Sequence, residues 1–189
     1  MATRTTLTAE DWLKAAFRAL SAGGVQALKA EAIARDLGVS KGSFYWHFED
    51  VAALKSEMLR HWMRRGTSEI VDEVEATGAA PAERLRALVI AATGRRSSAY
   101  GGETAELAIR DWARHDAAAA AALRSVDARR LAYLAELFAA CGQPASRAEV
   151  SARLLYAALV GLEALLVEGA IDRRGDLLDL LDGLSSRSE

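Results

Sequence analysis

Side chains able to do covalent or metal chemistry are few and scattered. His47, His61 and His115 are the only histidines, and Cys141 is the single cysteine. No two of these stand at the i, i+3 or i, i+4 spacing that puts two ligands on one helical face. His115 lies beside Asp111 and Asp116, a grouping that reads as a polar helix junction. Neither a phosphate loop nor a nucleophile elbow is present. Catalysis therefore has no footing in the sequence, and no metal or cofactor is expected. A different chemistry is concentrated in residues 38–48, GVSKGSFYWHF. Ser40, Lys41, Ser43, Tyr45, Trp46 and His47 offer hydroxyl, ammonium, indole and imidazole donors. Donors of these kinds hold phosphate oxygens and base edges.

The aromatics in this stretch need sorting first. Four of the chain's twelve Phe, Tyr and Trp fall here. Aromatic clusters at helical spacing are usually core. A helix advances about 100° per residue, so Phe44 and Phe48 share one face. Gly42, Ser43 and Trp46 point the other way, and Tyr45 and His47 lie on the flanks. A short helix near a chain end cannot be buried on every side. Phe44 and Phe48 are therefore expected in the core, with Tyr45, Trp46 and His47 facing outward.

Such a helix must be held by neighbours, and the surrounding sequence supplies them. Thr8 and Asp11 form a capping pattern for a first helix, with Leu7 and Trp12 as a hydrophobic staple. Trp12, Leu13, Ala16, Phe17 and Leu20 give that helix an apolar face, and Gly23–Gly24 ends it. A second helix spans about 29–37. Gly38 makes the turn, and Ser40 is the expected N-cap of a third helix over 41–48. Two short helices joined by a tight glycine turn describe a helix-turn-helix, whose second helix enters the major groove of DNA.

The rest reads as helices too. Alanine, leucine, arginine and glutamate dominate, and no alternating strand pattern stands out. A long fourth helix follows from Val51, with Leu54, Met58, Trp62, Gly66, Ile70 and Val74 stepping by four. It breaks at TGAAP, residues 77–81. Further helices are expected over 82–92, 103–115, 116–140, from a Ser146–Glu149 capping box to Gly169, and 176–184. That makes about nine in an all-α chain. Residues 1–50 are expected to form the helix-turn-helix domain and 51–189 a second, larger helical domain.

The stretch AIARDLGVSKGSFYWHFEDVAALKSEML, residues 32–59, closely resembles the DNA-binding domain of the tetracycline-repressor (TetR) family of bacterial transcription regulators. The Leu-Gly-Val-Ser turn, the Gly-Ser-Phe-Tyr-Trp-His-Phe helix and the leucine of the next helix all match. The resemblance implies a homodimer on a partly palindromic double-stranded DNA operator, acting as a repressor released by a small-molecule effector. Carried over position by position, Ser40, Lys41, Gly42, Ser43, Tyr45, Trp46 and His47 would face DNA. Tyr45 and His47 would hold phosphates, while Lys41, Ser43 and Trp46 would lie nearest the bases. Thr6, with Arg4 and Thr5, precedes the first helix and would either reach the backbone or minor groove or form a frayed tail. Relatives often carry a basic residue where this chain has Val51, and Glu49 and Asp50 add no positive charge. Lys29, where relatives have Ser or Thr, would supply a phosphate contact instead. Binding should be salt-sensitive without being unusually tight.

For the remaining helices the same resemblance implies an effector pocket and a two-fold interface. Aromatics line small-ligand pockets, and those with a polar edge also orient the ligand; the candidates are Trp62, Tyr100, Trp112, Tyr133, Phe138 and Tyr156. The last helices are leucine-rich on more than one side. Leu155, Leu159, Leu162, Leu166, Leu177 and Leu181 are the expected dimer-interface residues. An activator, or a regulator that answers to a protein partner with no small molecule, fits the same residues. A helical enzyme fits them poorly.

Composition narrows the class further. Half of the 189 residues are hydrophobic, enough for a sizeable core. No apolar run is long enough for a membrane span, and MATRTTLTAEDW carries no leader core. With one cysteine, a cytoplasmic location is expected. Net charge is −2. Residues 1–65 hold ten basic and seven acidic side chains, including all four lysines, so what positive charge there is gathers at the front.

Overall fold

The computed structural model describes residues 7–94, 100, 104–165 and 171–186. Among these the regular structure is entirely helical. In chain order the helices are α1 (Ala9–Gly23), α2 (Ala30–Asp36), α3 (Lys41–Phe44), α4 (Val51–Met63), α5 (Glu69–Ala76), α6 (Pro81–Gly94), α7 (Thr104–Trp112), α8 (Ala117–Ala140), α9 (Ala145–Ala164) and α10 (Arg173–Ser185). A single 3₁₀ turn, Val25–Ala27, links α1 to α2, and a π-helical stretch, Arg64–Ser68, links α4 to α5. No helix among the described residues is long and apolar enough to cross a membrane.

The chain folds as two compact units. The first takes in the described residues of 1–62 and 96–123, the second those of 63–95 and 124–189. In the first unit α1 is the hub. Thr8 Oγ1 accepts from the Asp11 backbone N–H at 3.3 Å, and the Asp11 carboxylate accepts in return from Thr8 N–H at 2.8 Å. This is the predicted capping box, and Thr8 holds the Asp11 carboxyl below its usual range through that N–H and the Thr8 hydroxyl. Trp12, Leu13, Ala16, Phe17 and Leu20 are buried, and α1 packs on α2 and α7. Gly24, at φ 67°, ends α1 in a conformation that disfavours any other residue.

The second unit has its core between α6, α8, α9 and α10. Leu85, Val89, Leu137, Phe138, Ala152, Leu155, Leu177 and Leu181 meet there. Gln143 and Ser151 are buried among them but fully paired. Ser151 Oγ donates to Gln143 Oε1 at 2.9 Å, and Gln143 Nε2 donates to the Leu184 carbonyl at 2.9 Å. The pairing fastens the start of α9 to the end of α10.

Three local expectations change. The long fourth helix is divided: at Arg64–Ser68 the winding loosens, with Glu69 N–H reaching back five residues to the Arg64 carbonyl. Ser40 takes the extended N-cap backbone but its side chain makes no capping bond. α9 begins at Ala145 with Pro144 as its N-cap, which places Ser146 inside the first turn and leaves no Ser146–Glu149 box. Proline's fixed φ pre-sets a helix entrance without a side-chain acceptor.

Candidate nucleic-acid interface

The candidate surface is built on α2, the Gly38 turn and α3. Gly38 has φ 68°, the left-handed geometry that lets the chain reverse between two helices. The Val39 N–H reaches back to the Ala34 carbonyl at 2.9 Å, which closes the end of α2. α3 is shorter than expected, because after Phe44 the bonds tighten to i, i+3 type. Trp46 N–H donates to Ser43 at 3.4 Å and His47 N–H to Phe44 at 3.0 Å. The tighter turn still delivers Phe48 back over Phe44, the two rings lying 5.5 Å apart.

Packing fixes which side faces out. Phe44 is fully buried, edge-on to Trp12 at 5.4 Å. Phe48 is buried as well. Trp46 is 87% exposed and Tyr45 54%. Two large rings kept in water beside a well-made core are the kind of surface that marks a contact site. His47 is half-buried, its ring 6.1 Å from Trp12. Lys29, Ser40, Lys41 and Gly42 are exposed and Ser43 is partly so. Thr6 lies outside the described residues. A Cβ built on Gly42 would meet only Ser40 Oγ, at 3.7 Å, so the space above this glycine is open.

One partner on this face escaped the sequence reading. Glu31, in the first turn of α2, accepts from Lys41 Nζ. Its carboxylate pushes the lysine's pKa up, with a smaller push from Tyr45, and the lysine holds the Glu31 carboxyl below its usual range. Only opposite charge near the turn could have suggested the pair; their meeting depends on how α2 and α3 cross. On the far side of α3, Asp50 accepts from the Ala53 N–H at 2.7 Å and so caps α4, as its place at a helix start suggests.

Residues 13–58 match the family model described as bacterial regulatory proteins, tetR family. Over this stretch, about a quarter of its length, the chain is similar to the TetR family. The matched segment runs from within α1 into α4 and contains every described residue of the candidate surface. Solved structures extend the likeness to the whole TetR fold. A TetR-family transcriptional regulator from Rhodococcus sp. superposes with a TM-score of 0.69 at 22% identity, over 94% of this chain and 98% of the other. A transcriptional regulator from Saccharomonospora viridis in complex with choline gives 0.74 at 19% identity, over 92% and 95%. AibR, in complex with isovaleryl coenzyme A and operator DNA, gives 0.66 at 17% identity, over 94% and 95%. At these identities the likeness is one of fold. No curated protein matches the chain.

The other candidate residues fall in both units. In the first unit, Trp62 Nε1 donates to Glu106 at 3.1 Å, and Tyr100 stacks on His61 at 4.8 Å and donates to Glu10. Trp112 is buried, with Lys55 Nζ 5.9 Å from its ring centre. In the second unit, Tyr133 donates to Glu75, and burial, then Glu75, drives its pKa upward. Phe138 is fully buried core. Tyr156 donates to Asp127 at 2.7 Å and accepts from Arg130 at 2.9 Å.

Arg130 was missed, although the sequence carries a signal. It stands on the buried stripe of α8 with Val126 and Leu134, a charged residue where apolar ones are expected. The structure gives the reason: its guanidinium also donates to Thr67 Oγ1 at 3.1 Å and to the Gly66 carbonyl at 3.0 Å. It grips the π-helical stretch.

The leucines divide. Leu155, Leu177 and Leu181 are buried in the second unit's own core, so they have no surface to offer a second chain. Leu159 and Leu162 are half-buried, and Leu166 lies outside the described residues. Among the described residues of the second unit, the large apolar side chains left in water are Leu154 on α9, Leu165 just past its end and Ile90 on α6.

Proposed function

We propose that the chain is a ligand-responsive transcriptional repressor that binds a partly palindromic DNA operator as a homodimer and is released by a small-molecule effector. The observation that carries the DNA half is the split of one aromatic cluster. Phe44 and Phe48 hold α3 down, while Trp46 and Tyr45 stand in water beside Lys41. In this reading Lys41, Ser43 and Trp46 enter the major groove, and Tyr45, His47 and Lys29 take the phosphates. Residues 1–50 serve as the reading head, and the remainder as the sensing and pairing part.

The dimer half rests on α9. Leu154, Ala158, Gly161, Leu162 and Leu165 follow helical spacing along its less buried side. A Cβ at Gly161 would meet nothing, so a second backbone has room to approach there. A two-fold axis through this strip would pair two chains, each carrying one reading head.

The effector half is supported by solved relatives of the fold that hold choline or isovaleryl coenzyme A, the latter together with operator DNA. Here the ligand would lie in the second unit, with Tyr156 and Tyr133 presenting hydroxyls. Tyr156 shares Arg130 with the π-helical stretch that continues α4. A ligand that draws Tyr156 away would loosen the hold on residues 64–68, the stretch that follows α4.

The test is a thermal-shift screen of metabolites, followed by DNA titration with each hit. A hit that stabilises the protein and weakens DNA binding supports the mechanism. A stabilising ligand that leaves DNA affinity unchanged contradicts it.

A further inference from the structure

Lys41 is the only lysine or arginine in residues 38–48. On a surface that meets phosphate, such a lone cation would be expected to extend into solvent. It does not: Glu31, from the preceding helix, takes its ammonium. The side chains stay 49% and 56% exposed. An ion pair this open adds little to folding. The α2–α3 packing already has Ile33, Ala34 and Phe44 to hold it. The consequence of the pair lies in the field it leaves on the DNA-facing side.

Unpaired, Lys41 would be drawn to any phosphate, whatever the sequence, and would release one counterion. Paired, it presents no net charge, and the Glu31 carboxylate repels the backbone. The pair yields only where something repays its opening. A guanine edge does so, because O6 and N7 accept from lysine at a fixed place in the groove. A penalty on every sequence, offset at one, is how a binder gains selectivity by excluding wrong partners.

We propose that Glu31 is a specificity-determining residue of the reading head: it holds Lys41 off the phosphate backbone, weakens binding to arbitrary DNA, and leaves Lys41 for a base contact. This rests on the DNA-binding reading above. It assigns a role to a residue on the helix before the recognition helix.

The test uses the full chain, a fluorescein-labelled 30-bp duplex of arbitrary mixed sequence, and a duplex enriched by repeated selection from randomised DNA. Anisotropy titrations are run over a salt series. E31Q should bind the arbitrary duplex about three- to tenfold more tightly at low salt, with a log K against log salt slope steeper by about one. Its gain on the selected duplex should be smaller, so the ratio between the two narrows. In the K41M background E31Q should give no gain. E149Q, which removes an acid from an exposed pair on α9, should change neither slope nor ratio. An E31Q slope equal to wild type, a gain that survives in K41M, or an equal gain from E149Q would each overturn the proposal. Wild-type protein that binds neither duplex would overturn the DNA reading itself, a result distinct from any of these.

Discussion

Two alanine substitutions two residues apart should separate folding from binding. Phe44 is fully buried, with the rings of Trp12, Tyr45 and Phe48 at 5.4, 5.3 and 5.5 Å. Cutting a buried phenylalanine to alanine costs about 3–5 kcal/mol, from lost transfer energy and the cavity left behind. Against a total stability of about 5–15 kcal/mol, that is a large share. With a urea slope of about 1–3 kcal/mol/M, the unfolding midpoint should fall by at least about 1 M. Trp46 is 87% exposed, so Trp46→Ala should change stability by no more than about 0.5 kcal/mol. Its loss should instead appear in anisotropy titrations on a selected duplex, as a Kd weakened about tenfold, or about 1.4 kcal/mol. The reasoning fails if Trp46→Ala destabilises the protein as much as Phe44→Ala. It fails equally if Trp46→Ala binds DNA as tightly as wild type.

Three further outcomes follow from other parts of the fold. The Asp11 carboxyl titrates below its usual range in the folded chain, so its contribution is complete above that range and is lost as pH falls through the lowered value. Thermal melts of wild type should therefore drop below about pH 4; Asp11→Asn should flatten that drop, and Thr8→Ala should cost about 1 kcal/mol at neutral pH. Ser151→Ala removes a buried donor and leaves Gln143 Oε1 without it; urea unfolding should show a loss of about 1–3 kcal/mol. Arg130→Met removes the bonds to Gly66, Thr67 and Tyr156, so amide exchange across residues 64–68 should speed up well before global unfolding.

The division of the aromatic cluster was legible because residues four apart meet on one side in the tighter turn after Phe44 as they would in a continued helix. Phe44 and Phe48 come round to one side either way. The Thr8–Asp11 box was legible for the same reason, since both partners lie within one turn. Pairings set by tertiary packing were hidden. Lys41 meets Glu31 ten residues away across a turn, Arg130 reaches Gly66 and Thr67 more than sixty residues back, and Gln143 bridges Ser151 and Leu184. Leucine content alone could not sort Leu155, Leu177 and Leu181, which fill their own unit's core, from Leu154 and Leu165, which do not. α9 and α10 are apolar on several sides, and the sequence does not say which side a neighbour covers. The break in the long fourth helix had a visible mark in Gly66, but a glycine inside a helical stripe is compatible with continued α-helix as well as with a π turn.

The central claim is that the surface around α3 reads DNA sequence. It is tested most directly by selecting duplexes from randomised DNA with the full chain, then titrating the enriched sequence and a scrambled version at physiological salt. A sequence-reading dimer should yield a partly palindromic consensus, two protomers per duplex, and binding at least about a thousandfold tighter than to the scrambled duplex. Equal affinity for the two duplexes, or no enrichment at all, would contradict it.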